Sequence, residues 1–192
     1  MSFKARPGLA RAGVGGRDGG GGGGAGDARD RSDPFAQLES SHQRLQEYLH
    51  DLLAAARSLA DDPGNGEARN TVVEVSAFID RAVARHERDE EESLFPRLSG
   101  VVALTPRLAA LCIEHREHEQ LHDELRMLAG LCERVLTLPE AARLADVTLA
   151  LTEAYSRHIE AEELEIFPAA RATLGADAIA AVAAEMQARR GR

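Results

Sequence analysis

The chain has no tryptophan, two tyrosines, two cysteines and one lysine among its 192 residues. Each scarcity excludes something. Two cysteines cannot make a disulfide framework or a thiolate metal site. Cys112 and Cys132 fall twenty residues apart on one predicted helix, about 30 Å of rise, beyond disulfide reach. A reducing cytoplasm is therefore the expected compartment. No run is long and apolar enough to cross a bilayer, and no segment alternates with period two, so no strand is expected. Glycine is scarce too, except at the start: residues 1–32 hold 11 of the 17 glycines, with six basic and three acidic side chains. That segment reads as a disordered tail without the apolar stretch of a signal peptide. The remainder carries 17 basic and 29 acidic residues, a balance that repels nucleic acid.

What the chain does have is one motif twice. His86-Glu87-Arg88-Asp89-Glu90-Glu91-Glu92-Ser93-Leu94-Phe95-Pro96 returns as His158-Ile159-Glu160-Ala161-Glu162-Glu163-Leu164-Glu165-Ile166-Phe167-Pro168. Arg85, His86, Glu90, Glu91, Phe95 and Pro96 have identical counterparts 72 positions on. A His and a Glu four residues apart share one helix face, a turn from each other.

Apolar spacing predicts four long helices and one short one. The first opens at Asp33-Pro34, N-cap then proline, with the seam Phe35, Leu38, His42, Leu45, Leu49, Leu52, Ala56 and Leu59. The second runs over 67–94, its seam ending in His86 and Glu90, with Pro96 expected to stop or kink it. The third opens at Thr105-Pro106, again as cap and proline, and places His115, His118 and His122 consecutively on its seam. The fourth opens at Thr137-Leu138-Pro139-Glu140 in capping-box form, ends its seam in His158 and Glu162, and should stop at Pro168. A short amphipathic pattern, Ile179, Val182, Ala183 and Met186, follows Gly175 and suits either a cap on the bundle or a dimer contact. Equal lengths and short links predict an all-α, antiparallel up-down-up-down four-helix bundle with a C-terminal fifth helix. The expected organisation is a tail over 1–32, the bundle over 33–170 and the last helix over 171–192.

Counting residues from each turn puts His42, His86, Glu90, His115, His158 and Glu162 at one height. His118 borders that layer, and His122 lies about 10 Å along the axis from His115, two helical turns, near Tyr155. A lone seam histidine is ordinarily a satisfied core residue. Two buried carboxylates are harder to accommodate, because no Lys or Arg occupies a seam position and an unpaired buried carboxylate costs several kcal/mol. A metal satisfies the layer. Imidazole and carboxylate without thiolate suit iron, manganese or zinc, and two His-x-x-x-Glu pairs suit two ions sharing two bridging carboxylates and one bridging oxygen. Glu91 and Glu163, a further 100° round their helices, read as solvated or supporting groups. The expected ligands are His42, His86, Glu90, His115, His118, His158 and Glu162, with the fifth histidine open between His118 and His122.

With Ser41-His42, His86 with Glu90-Glu91 and Phe95-Pro96, Glu114-His115, and His158 with Glu162-Glu163 and Phe167-Pro168, residues 33–170 resemble the hemerythrin-like (HHE cation-binding) family. The resemblance implies a non-haem, oxo-bridged di-iron centre that binds dioxygen, nitric oxide or peroxide, or senses redox or iron state. It implies a binding or sensing module without catalytic residues, a monomer or homodimer. The alternatives are a ferritin-like di-iron oxidase, for which Glu39-x-x-His42 and Glu119-x-x-His122 have the spacing, an iron–sulfur repair protein, and a metal-free partner-binding bundle.

Overall fold

The structure, a computed structural model, describes residues 33–191; the tail expected over 1–32 lies outside the described residues. Those residues are helical, with no strand among them. Helix α1 is Pro34–Asp61 and α2 is Gly66–Asp89; a π-helical turn, Glu90–Leu94, joins α2 to α3, Phe95–Leu98. Helix α4 is Thr105–Leu131 and α5 is Leu138–Ala161, continued by a second π turn, Glu162–Ile166, into α6, Phe167–Thr173. Helix α7 is Ala176–Arg190.

The starts of α1 and α5 form as their sequences dictate. Asp33 accepts a bond from the Phe35 N–H at 2.9 Å ahead of Pro34. Thr137 and Glu140 complete a reciprocal capping box before Pro139, satisfying two orphan donors. Helix α4 begins differently: the 3-10 turn Val102–Leu104 winds directly into it, so Thr105 is its first residue and gives no side-chain cap. Neither motif proline ends its helix. Pro96 and Pro168 sit in the first turn of α3 and α6, where a missing N–H costs least. The π turns before them re-route the ladder, with Phe95 and Phe167 donating to the Glu90 and Glu162 carbonyls. A π turn holds one more residue per hydrogen-bonded ring than an α turn, so the prolines are absorbed rather than terminal.

Helix α1 packs against α2 and α5, and α4 against α5 and α2. Cross-helix pairs run in opposite senses along their partners. Arg69 meets the Cys132 carbonyl near one end of α2 and Glu91 meets His115 near the other. Arg143 pairs with Glu124 low on α5 and His158 with Glu114 higher up. The apolar interior is split in two. One cluster holds Leu45, Leu49, Leu52, Ile79, Val83, Leu125, Leu144, Leu151 and Tyr155; the other holds Phe35, Leu38, Leu94, Leu111, Ile166 and Phe167. Burying each such side chain contributes about 1.5–3 kcal/mol. Along every long helix the seam histidines and glutamates fall between the two clusters.

Helix α7 caps the second cluster, burying Val182 and Met186 in it. It also ties down the first motif. Arg189 donates to Asp89 at 2.7 Å and to the Ser93 hydroxyl at 2.6 Å, and Arg190 lies 3.0 Å from the other Asp89 oxygen. Asp89 is fully buried, so these arginines compensate a charge that would otherwise be costly. Arg97 answers with a fork onto Glu185 at 2.7 and 3.2 Å. None of the described helices is long and apolar enough to cross a membrane.

Candidate metal centre

Four helices deliver one imidazole each to the gap between the apolar clusters. His42 comes from α1, His86 from α2, His115 from α4 and His158 from α5, all at 9 % exposure or less. The two carboxylates, Glu90 and Glu162, open the π turns and have no exposed surface. Their donor atoms form two sets, each within 4.8 Å: His42, His86, Glu90 and Glu162, and Glu90, His115, His158 and Glu162. Both glutamates belong to both sets.

Hydrogen bonding decides which ring nitrogens face inward. The His42 Nδ1 lies 2.8 Å from Glu163, the His115 Nδ1 2.8 Å from Glu91, and the His158 Nδ1 2.8 Å from Glu114. An ionised carboxylate only accepts, so each Nδ1 donates and each Nε2 turns its lone pair inward. There the His115 and His158 Nε2 atoms stand 3.0 Å apart, and those of His42 and His86 2.9 Å apart. Ring nitrogens this close need a cation or a proton between them. Glu90 approaches His86 at 3.1 Å and His115 at 3.6 Å, and Glu162 approaches His42 and His158 at 3.2 Å each. None of the four carboxylate oxygens has a hydrogen-bond partner of good geometry.

The layer is tuned to hold positive charge. Burial, then the charge of Glu162, pushes the Glu90 carboxyl well above its usual range. Burial acts the same way on Glu162, but the close imidazoles of His158 and His42 outweigh it and hold that carboxyl low. Burial likewise opposes a charged His158, yet the close, charged Glu162 pushes it up to about 9. His86 and His115 are lowered, chiefly by burial, which leaves their nitrogens free for a metal rather than a proton.

Of the seven residues expected to bind metal, the structure gathers six. His118 is buried beside them but outside both sets; its ring lies 4.4 Å from the Tyr155 ring and 5.2 Å from the His158 ring, centroid to centroid. Its Nδ1 has no hydrogen-bond partner, and burial, aided by the charges of His158 and His115, lowers its pKa to about 3. His122 lies off the layer and bonds the Tyr155 hydroxyl at 2.8 Å, with Asp80 3.5 Å from its other nitrogen. Of the alternative Glu-x-x-His pairs, Glu39 faces outward against Arg171 at 3.0 Å and Glu119 is exposed. Sequence reasoning left Glu91 and Glu163 undecided between solvent and support, and gave Glu114 no role. The signal was present in the Glu114-His115 step, because a residue one position before a seam histidine is turned about 100° toward a neighbouring helix. His86 alone among the four imidazoles has no partner on Nδ1.

The fold and this cluster define a helical bundle whose buried middle is compatible with a metal-binding site. The chain belongs to the Hemerythrin HHE cation binding domain family, matched over residues 33–170. No curated protein matches it.

Proposed function

We propose that this protein is a cytoplasmic, non-haem di-iron module that binds dioxygen, nitric oxide or peroxide, or senses redox or iron state. In this reading it has no catalytic residues of its own. The paired Nε2 atoms, 2.9 and 3.0 Å apart beside two buried carboxylates, carry the reading, since four imidazoles and two glutamates without thiolate suit iron. His42 and His86 would hold one ion and His115 and His158 the other, with Glu90 and Glu162 within reach of both. His118, its ring 5.2 Å from that of His158, would be the fifth histidine of an oxo-bridged pair.

Such a centre supplies one-electron redox chemistry and open positions for a small ligand. The chain's own residues orient the imidazoles through Glu91, Glu114 and Glu163, and the flanking apolar clusters exclude bulk water from the layer. Cross-helix pairs of opposite sense support an up-down-up-down antiparallel bundle over residues 33–170, with 171–192 as its appended helix. Protein produced with iron is expected to hold about two ions per chain, with near-ultraviolet and visible charge-transfer bands that change on adding azide or oxygen. Colourless protein holding no iron, or one ion indifferent to His86→Ala and His158→Ala, overturns the reading.

A further inference from the structure

The internal repeat allows each supporting group to be compared with its counterpart. His42 and His115 are equivalent: each meets a motif histidine through Nε2 and gives Nδ1 to the second glutamate of the other motif, Glu163 or Glu91. His86 and His158 should be equivalent too, but are not. His158 gives Nδ1 to Glu114, the residue before His115. The residue before His42 is Ser41, whose hydroxyl donates to the Gln37 carbonyl at 3.0 Å. Asp89, a buried acid one turn on from His86, is taken up by Arg189 and Arg190. The His86 Nδ1 is a buried polar atom without a hydrogen-bond partner.

A carboxylate on the outer nitrogen fixes a ligating imidazole's orientation and raises its basicity, and losing one typically lowers metal affinity about 10–100-fold. We infer that the two halves of the centre are unequal: the ion held by His42 and His86 is the weak, exchangeable one, and the serine at position 41 makes it so. Position 41 is thus a positioning site that sets metal affinity through His86. The inference rests on the two-ion reading and deepens it. It assigns the protein a one-ion form, with the His115 and His158 half filled, as the state reached when iron is scarce.

The test uses the full chain loaded with Fe(II) under argon, challenged with increasing chelator, and the metal retained is counted by elemental analysis. The wild type should lose one ion at about 10–100-fold lower chelator concentration than the other. Ser41→Glu should draw the two losses together by strengthening the first. Glu114→Ser, which needs no new side chain to fit, should draw them together by weakening the second. His42→Ala should keep the tight ion and His115→Ala the loose one. Two ions leaving together in the wild type, or a gap that neither Ser41→Glu nor Glu114→Ser narrows, overturns the inference and leaves the di-iron reading standing. A wild type that never takes up a second ion overturns both.

Discussion

The two copies of the motif bring the same donor atoms to one layer and surround them differently. His86 with Glu90 and His158 with Glu162 each end a long helix in a π turn. Beyond those atoms the copies part. Asp89 in the first is a buried acid clamped by α7, where the second has Ala161, packed in the apolar cluster. Ser41 supports nothing across from His86, where Glu114 supports His158. The repeat thus matches in its donor atoms and differs in what surrounds them. The first copy is the mechanical one, fastened to the C-terminal helix; the second is the better electrostatic one.

The symmetric part of this comparison predicts the largest effects. Glu90→Ala or Glu162→Ala should empty both halves, because each carboxylate belongs to both donor sets. Elemental analysis that finds one ion retained would show that the carboxylates are not shared. Glu91→Ala and Glu163→Ala should weaken retention only, by about 10–100-fold.

Next come single histidines of α4. His115→Ala should cost one ion per chain, whereas His122→Ala should leave iron content and visible spectrum as in the wild type, since His122 serves Tyr155. Iron lost on His122→Ala but kept on His115→Ala would move the site by two turns. His118→Ala belongs between these, and a changed spectrum at full iron content would place its imidazole on the second ion.

The asymmetric part is read by stability. Replacing Arg189 and Arg190 together with alanine leaves Asp89 as an uncompensated buried charge and should cost about 3 kcal/mol in urea denaturation. Asp89→Ala, which makes the first copy resemble the second, should cost less, because the freed arginines can turn to solvent. Equal losses would mean that the helix contact, not the charge, sets the energy.

A further test is in pH. The folded-state pKa of His118, about 3, lies below its ordinary value of 6.5. Between those values the unfolded chain binds more protons, so stability is whole above pH 6.5 and falls as pH drops toward 3. His118→Phe in metal-free protein should flatten the acid limb of a thermal-melt series. An unchanged slope would assign acid sensitivity elsewhere in the layer.

The seam residues were legible from sequence because helical periodicity is rigid: His42, His86, Glu90, His115, His158 and Glu162 interrupt apolar stripes, and counting from the turns brings them level. What was illegible depends on small rotations or long range. Pro96 and Pro168 read as stops because the π turns that absorb them have no local signal beyond the proline itself. Thr105 reads as a cap until the 3-10 turn before it is seen. His118 shares the seam with His115, but a helix turn later the ring rests on Tyr155. The clamp on Asp89 joins residues 100 positions apart, which no local pattern encodes; it resolves the last helix as a cap on the bundle.

The placement of Tyr155 has an optical consequence. With tryptophan missing, emission from the folded protein comes from Tyr48 and Tyr155 alone. Tyr48 rests on Phe78, ring centroids 4.1 Å apart, on the seam between α1 and α2, whereas Tyr155 lies against His118, one turn from His158. Iron bound by imidazoles and carboxylates absorbs where tyrosine emits, so metal entering the His115 and His158 half should darken Tyr155 first. If iron binds as proposed, Tyr155→Phe would isolate the Tyr48 signal and Tyr48→Phe the other, and the difference between the two traces would report the half of the centre beside Tyr155.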